Sequence, residues 1–374
     1  MDAPSIQSPR KLSVAKRLLF ASAPLLTLLV LIEFVARCVV TEASIAKRFE
    51  QIEQIIVHLG NEPGESIFQS DPDCFWRLKP NVVAPEERGN WWGGMMSNSH
   101  GMRSREVSVE ETRDKLRILC FGDSTTFAFG VDFADAWPNQ LQTLLDSDPT
   151  TTGADSSAQA VEVLNAGIPG QTSYQGRKRL KAELEKWHPQ FTIITFGNND
   201  GWRWDDLADK DHGSSSFPLI GSWINQSRAL FWLRSWRLPS AAQQTINNES
   251  RWAEQATLNY FDPNMQWTPR VSLDDFADNL RAMIAMCQEH NSEAILVVWP
   301  DQRQLLDQST WRLPYQEVTR QVAAETKVGC IDLVPLFERS GRRAIERFLP
   351  RDVIHVDREG NQWVAKQVSA RVCQ

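Results

Sequence analysis

The chain has 374 residues, a formal net charge of −7, 42% hydrophobic residues and six cysteines. That length is enough to bury a sizeable core, and an acidic balance without a basic run leaves no electrostatic footprint for nucleic acid. Irregularly spaced cysteines exclude a disulfide scaffold, and with no metal-ligand spacing in the chain neither a metal nor another cofactor is expected.

The first element is an apolar run from Leu18 to Ile32, which extends to Val40 if Glu33 and Arg37 lie near one end. A stretch of about 20 residues suits a bilayer core of about 30 Å. Arg10, Lys11, Lys16 and Arg17 precede it. The positive-inside rule then makes residues 1–15 a cytoplasmic tail and 16–40 a single-pass transmembrane anchor, with the rest of the chain periplasmic or extracellular. A cleaved signal peptide would have a shorter apolar core ending at small residues, and no clear small-x-small site follows, so an uncleaved anchor is favoured. Arg37 before Cys38 argues against lipoprotein processing there.

Residues 41–115 read as a stem helix and an N-terminal extension. Ile45, Phe49, Ile52, Ile56 and Leu59 form an a/d seam over 45–59, able to pair two copies in a weak homodimer or to rest on the catalytic domain. The extension carries the stretches Asp73–Asn81 and Asn98–Arg103, for which packing on the domain edge is expected.

From residue 116 onward, strands at 116–121, 161–165, 191–196, 294–299 and 329–333 alternate with helical stretches, the pattern of a parallel sheet in an α/β sandwich. The first apolar run ends at Gly122-Asp123-Ser124. A buried strand that stops at a glycine delivers its next residues to the carboxyl edge of such a sheet, where ligands bind, and Ser124 there is a candidate nucleophile. Gly-Asp-Ser is also ordinary turn chemistry. The second strand runs into Asn165-Ala166-Gly167-Ile168-Pro169-Gly170, where Gly167 allows close backbone approach and its amide could point at an oxyanion. The third ends in Gly197-Asn198-Asn199-Asp200, which offers the Asn199 carboxamide as a second donor or, equally, a loop of turn formers.

Residues 201–270 read as an insertion near the active edge, and they hold seven of the chain's 15 tryptophans. Trp202 and Trp204, close to Asp200, are candidates for lining a pocket and, with Asp123, for binding substrate. Trp232 and Trp236 read instead as the buried face of a cap helix or a surface resting on the membrane interface. Ser272 and Asp275 resemble a capping box that opens a helix reaching about Glu289, with Phe276, Leu280, Met283 and Cys287 facing the sheet. Cys120, Cys287 and Cys330 read as core residues, and Cys74 or Cys373 as a candidate for one disulfide in an oxidising compartment.

Near the end, Asp352-Val353-Ile354-His355 offers an imidazole with an acceptor for its far nitrogen. A helix from about Arg358 to Val372 follows and would hold that loop.

Taken in order, Gly-Asp-Ser, Asn-Ala-Gly, Gly-Asn-Asn-Asp and Asp-x-x-His resemble the four sequence blocks of the SGNH hydrolases, also called the GDSL esterase/lipase superfamily. The resemblance covers about residues 116–374, with one long insertion. It implies an α/β fold, a three-layer α/β/α sandwich with a mainly parallel five-stranded sheet of SGNH/flavodoxin-like type, behind the N-terminal transmembrane helix. It further implies Ser124 as nucleophile and first oxyanion amide, Gly167 as second amide, Asn199 as side-chain donor, Asp352 as orienting acid and His355 as base. Val356-Asp357 stands where the family often has Pro-Asn, and Phe129-Gly130-Val131 follows an altered Thr-Phe-Ala, departures that bear on loop shape and substrate preference.

The activity so implied is that of a serine esterase acting on carboxylic (O-acyl) esters through an acyl-enzyme, with an acylated carbohydrate or lipid as substrate. The same triad serves a membrane-tethered O-acyltransferase acting on a polysaccharide. A non-catalytic carbohydrate-binding or scaffold protein is the reading of another class, and retention of all five site residues speaks against it.

Overall fold

The computed structural model describes residues 14–39, 67–71, 73–83, 96–110, 115–147, 160–202, 208–211, 227, 229, 268–350 and 352–373. The chain divides into two compact units, Met1–Arg48 with Ser214–Gln244, and Phe49–Gly213 with Thr245–Gln374. The stem seam at 45–59, Trp204 and the tryptophans from Trp223 to Trp267 lie outside the described residues.

In the first unit, helix α1 (Val14–Val39) contains an 18-residue window, Ser22–Val39, with a mean hydropathy of 1.9. By length and composition it is able to cross a membrane, a test that a signal sequence also passes. Its one carboxylate is well supplied with donors. Glu33 accepts from Ser227 Oγ at 2.7 Å and Ala229 N at 3.2 Å, and pairs with Arg37 one turn on at 2.8 Å.

The second unit begins with an antiparallel hairpin, β1 (Phe68–Asp71) and β2 (Phe75–Leu78), paired from Phe68↔Leu78 to Asp71↔Phe75. A five-stranded sheet follows, formed by β3 (Lys115–Gly122), β4 (Ala160–Gly167), β5 (Phe191–Thr195), β6 (Glu293–Val298) and β7 (Gly329–Asp332). Every pairing is parallel and the order is β4-β3-β5-β6-β7.

The helices are α2 (Ser124–Phe127), α3 (Trp137–Ser147), α4 (Ser173–Trp187), α5 (Leu273–Glu289), α6 (Arg312–Thr326), the short α7 (Val334–Arg339) and α8 (Arg342–Glu346), and α9 (Arg358–Val372). Side chains on a strand alternate between faces, so β3 sends Ile118 and Cys120 one way and Leu119 and Phe121 the other. The first pair joins a core with Leu141 of α3 and Val364 of α9; the second joins a core with Leu184 of α4, Met283 of α5 and Val322 of α6. This is a three-layer α/β/α sandwich. In α5, Phe276, Leu280, Met283 and Cys287 are all buried, and Ser272 caps the helix by accepting from Asp275 N. The Asp275 carboxylate takes the Ser272 hydroxyl rather than the cap backbone, so the capping box is incomplete. A complete one opens α4, between Thr172 and Gln175.

Two cysteine expectations are corrected. Cys330 is exposed, because β7 is a four-residue edge strand in which Ile331 takes the inward position. No disulfide forms: all six cysteines are free, and Cys74 is buried in the hairpin.

The register decides where the site lies. Gly122 stands level with Gly167 on β4 and with Thr195 on β5, so three loops leave the sheet side by side. From β3 the sheet grows to β4 on one side and to β5, β6 and β7 on the other, and ligand crevices in open α/β sheets form at such a switch point.

Candidate active site

Ser124 is the first residue of α2, and its position follows from the two residues before it. A Cβ on Gly122 would stand 2.4 Å from the Thr195 carbonyl oxygen, so only glycine lets β3 run this close to β5. Asp123 is the N-cap and accepts from Thr125 N at 2.8 Å and Thr125 Oγ1 at 2.7 Å. Its other oxygen accepts from Asn198 Nδ2 at 3.1 Å. Burial pushes the Asp123 carboxyl up from its ordinary range, opposed by these hydrogen bonds. The expectation that Asp123 binds substrate is therefore corrected: it is fully buried, its oxygens are committed to Thr125 and Asn198, and it shapes α2.

The turn ends as sharply as it begins. Ala128 lies in the left-handed region at φ 61, and the buried Arg103 guanidinium donates to the carbonyls of Phe127, Ala128 and Val131 at 2.6–2.8 Å. The Phe127 and Ala128 carbonyls lie at the end of α2, where a helix leaves acceptors unpaired, and Val131 O lies in the turn beyond; all three are satisfied by a side chain from the extension.

His355 Nε2 stands 2.8 Å from Ser124 Oγ, and His355 Nδ1 stands 2.7 Å from Asp352 Oδ2. The other Asp352 oxygen accepts from the backbone N–H groups of Ile354 and His355. Burial pushes the Asp352 carboxyl up, but the His355 imidazole and these hydrogen bonds outweigh it and hold the group down at about 2. An ionised Asp352 fixes the tautomer with Nδ1 protonated, leaving Nε2 as the acceptor for the serine hydroxyl. The loop is fastened from the segment that follows β6: Trp299 Nε1 donates to Ile354 O at 2.7 Å and Gln302 N to Val353 O at 2.7 Å. The Phe129 ring lies 5.0 Å from the imidazole.

Asn199 Nδ2 donates one hydrogen to Gln171 O at 3.0 Å, which leaves its second hydrogen for another acceptor. Gly167 behaves differently from expectation. Its amide donates to Asn165 Oδ1 at 3.1 Å and so is already used. A Cβ on Gly167 would meet Phe127 N at 2.1 Å, so this glycine lets β4 pack against α2. Three residues on, Gly170 has φ 77, and its amide meets no acceptor among the described residues. Its neighbour Gln171 is the residue that holds Asn199. The sequence signal for Gly170 is the Pro169-Gly170 pair, a turn signal of the kind that places a glycine at positive φ.

Arg179 also escaped notice. It is fully buried, stacks on Phe121 with 3.9 Å to the ring centroid, and donates to Ala166 O at 2.6 Å and to Gln171 Oε1 at 2.8 Å. Asp200, pushed up to about 7 by burial, accepts from Ser173 and from Gly197 N and so ties the Asn199 loop to the start of α4. Trp202 is 41% exposed, and its amide donates to Asn199 O at 3.0 Å. No group of three or more metal-binding side chains occurs among the described residues.

A family profile described as GDSL-like Lipase/Acylhydrolase matches residues 120–363, which is well over half of the chain. The chain belongs to the GDSL-like lipase/acylhydrolase family. The GDSL-like chain is 33% identical over 86 residues to thioesterase 1/protease 1/lysophospholipase L1 of Escherichia coli K12, a stretch covering 23% of this chain and 36% of that protein. It is 37% identical over 86 residues to the esterase TesA of Pseudomonas aeruginosa, covering 23% and 38%. It thus spans little more than a third of the length of these curated relatives. Among solved structures, a lipase/acylhydrolase from Enterococcus faecalis is 19% identical, with 69% of this chain and 95% of that chain covered at a TM-score of 0.41.

Proposed function

We propose that the protein is a serine esterase that hydrolyses O-acyl esters through an acyl-enzyme. The observation that carries this reading is the pair of short hydrogen bonds linking Ser124 Oγ, His355 and Asp352. Ser124 Oγ attacks the ester carbonyl carbon as its proton passes to His355 Nε2. The new C–O bond leaves a negative charge on the former carbonyl oxygen. That charge is met by the amides of Ser124 and Gly170 and by the second hydrogen of Asn199 Nδ2, preorganised donors that act where charge develops. Collapse of the intermediate breaks the bond to the alcohol, which takes the proton from His355. Water then repeats the sequence, with His355 as base, and releases the acid and free Ser124. Gly170 replaces Gly167 in this scheme because the Gly167 amide is taken by Asn165.

In the same reading residues 16–40 tether the enzyme to a membrane with the catalytic domain outside the cytoplasm, and Trp202 borders the site on the acyl or alcohol side. The substrate is then an acylated carbohydrate or lipid within reach of the membrane. The test is to assay the full-length chain on esters of graded acyl length, with and without oligosaccharide acceptors, beside Ser124→Ala. Hydrolysis that vanishes in Ser124→Ala, with fluorophosphonate labelling of the parent at Ser124, supports the proposal. Full turnover by Ser124→Ala would sink it, and acyl transfer to the oligosaccharide would replace hydrolysis by acyltransfer.

A further inference from the structure

The hairpin β1–β2 lies outside the 120–363 match, yet it grips the oxyanion turn on both sides of Gly170. Trp76 Nε1 donates to Pro169 O at 3.0 Å. From the other side Gln171 Nε2 donates to Trp76 O at 2.8 Å and to Cys74 O at 3.3 Å. Trp76 is 4% exposed and packs with Leu78, Phe127, Phe129 and Ile168, so its indole is held by the nucleophile helix and the oxyanion turn together. Within the hairpin, Phe75, beside Trp76, holds a left-handed backbone at φ 72.

The carbonyl that Trp76 holds has a particular identity. Pro169 C=O and Gly170 N–H belong to one peptide group, and no peptide bond in the described chain is cis. In a trans peptide the oxygen and the hydrogen point in opposite directions from one rigid plane. Fixing the oxygen on the Trp76 side therefore fixes the direction of the Gly170 hydrogen on the other side. A hydrogen bond accepted at the oxygen also polarises the group and strengthens the N–H as a donor, as in hydrogen-bond chains generally.

We propose that Trp76 is a positioning residue for the oxyanion site, its indole N–H aiming and polarising the Pro169–Gly170 peptide, and that the hairpin is thereby a working part of the esterase. The proposal rests on the reading of Gly170 N–H as an oxyanion donor. Removing an oxyanion donor outright costs about 100 to 1000-fold in rate, so loosening one from behind is expected to cost about 10-fold. The structural role of the ring is separable from the donor, since phenylalanine keeps the aromatic packing and benzothienylalanine keeps the whole bicyclic shape while replacing N–H by sulfur.

The experiment compares the full-length chain with Trp76→Phe and with benzothienylalanine at position 76, measuring kcat and KM on 4-nitrophenyl acetate, inhibition by phenylboronic acid, and melting temperature. The expected result is a folded variant whose kcat falls about 10-fold and whose boronate affinity falls by a similar factor, while KM moves less than about twofold, since the lost interaction acts on the tetrahedral state. Wild-type kcat in the folded benzothienylalanine variant would overturn the proposal, as would a loss of activity that only tracks the folded fraction. Ser124→Ala in the same assay separates the two readings. If it keeps full turnover, the esterase reading itself fails; if it is inactive while the folded position-76 variants match wild type, the role given to Trp76 fails alone.

Discussion

Asp123 and Asn198, on the loops after two neighbouring strands, are joined by a hydrogen bond of 3.1 Å from Nδ2 to Oδ2. Asn199, the next residue, turns its carboxamide the other way, onto Gln171 O. Two adjacent asparagines thus face different tasks, and their alanine variants are expected to fail differently. Asn198→Ala leaves the buried Asp123 carboxylate short of a donor, at a cost of about 1–3 kcal/mol in stability and little in the kcat of folded enzyme. Asn199→Ala is expected to lower kcat by about 100 to 1000-fold with a modest change in melting temperature. Denaturation curves and ester kinetics on both variants check the pair, and equal effects from the two would contradict the assignment.

Ser124 and His355 act as one unit in the proposed reaction, because the hydroxyl is a weak nucleophile until the imidazole takes its proton. Ser124→Ala and His355→Ala are each expected to lower kcat on the order of 10⁴-fold or more, and the double variant to be no worse than either single one. Turnover numbers from the three proteins, purified in parallel, decide it. Losses that multiplied in the double variant would show that the two side chains act independently.

The parts of the site that could be read in the sequence are those whose cause is local. Each of β3, β4 and β5 is an apolar run closing on or just before a glycine, and their shared level follows from parallel pairing. Asp352 and His355 are three residues apart, so one turn suffices to bring them together. What stayed hidden depends on contacts across long separations. Gly167 and Gly170 occupy one loop, and the choice between them turns on where the Asn165 carboxamide points. Trp76 reaches Pro169 across 93 positions, and Arg103 reaches Phe127 across 24, so an extension that looked like edge packing is built into the walls of the site. Cys330 faces outward on a four-residue edge strand, which carries too little periodicity to show which face is inward.

Gly167 is expected to be a packing position. In Gly167→Ala the new methyl would meet Phe127 N at 2.1 Å and Phe127 Cα at 2.8 Å. Both are backbone atoms of α2 and have no rotamer by which to yield. Overpacking of this kind costs about 1–3 kcal/mol or more, and the expected outcome is a markedly lower melting temperature or insoluble protein. Wild-type stability in Gly167→Ala would show that α2 can withdraw from β4.

Asp352 links the site to acid stability, and the sign follows from its depressed pKa. Held at about 2 in the folded protein against an ordinary value of 3.8, the carboxyl binds its proton more weakly folded than unfolded. Its contribution is therefore fully present above pH 3.8 and is lost as pH falls through about 2. The shift corresponds to roughly 2 kcal/mol. Asp352→Asn removes the charge while keeping the shape, so its unfolding free energy is expected to lie roughly 2 kcal/mol below wild type near pH 5, with the gap closing between pH 4 and pH 2. The same variant no longer holds the Nδ1–H tautomer of His355, and kcat is expected to fall on the order of 10⁴-fold. Denaturant titrations of both proteins across pH 2–7 test the linkage. A gap that stayed constant down to pH 2 would mean that Asp352 contributes by shape rather than by charge.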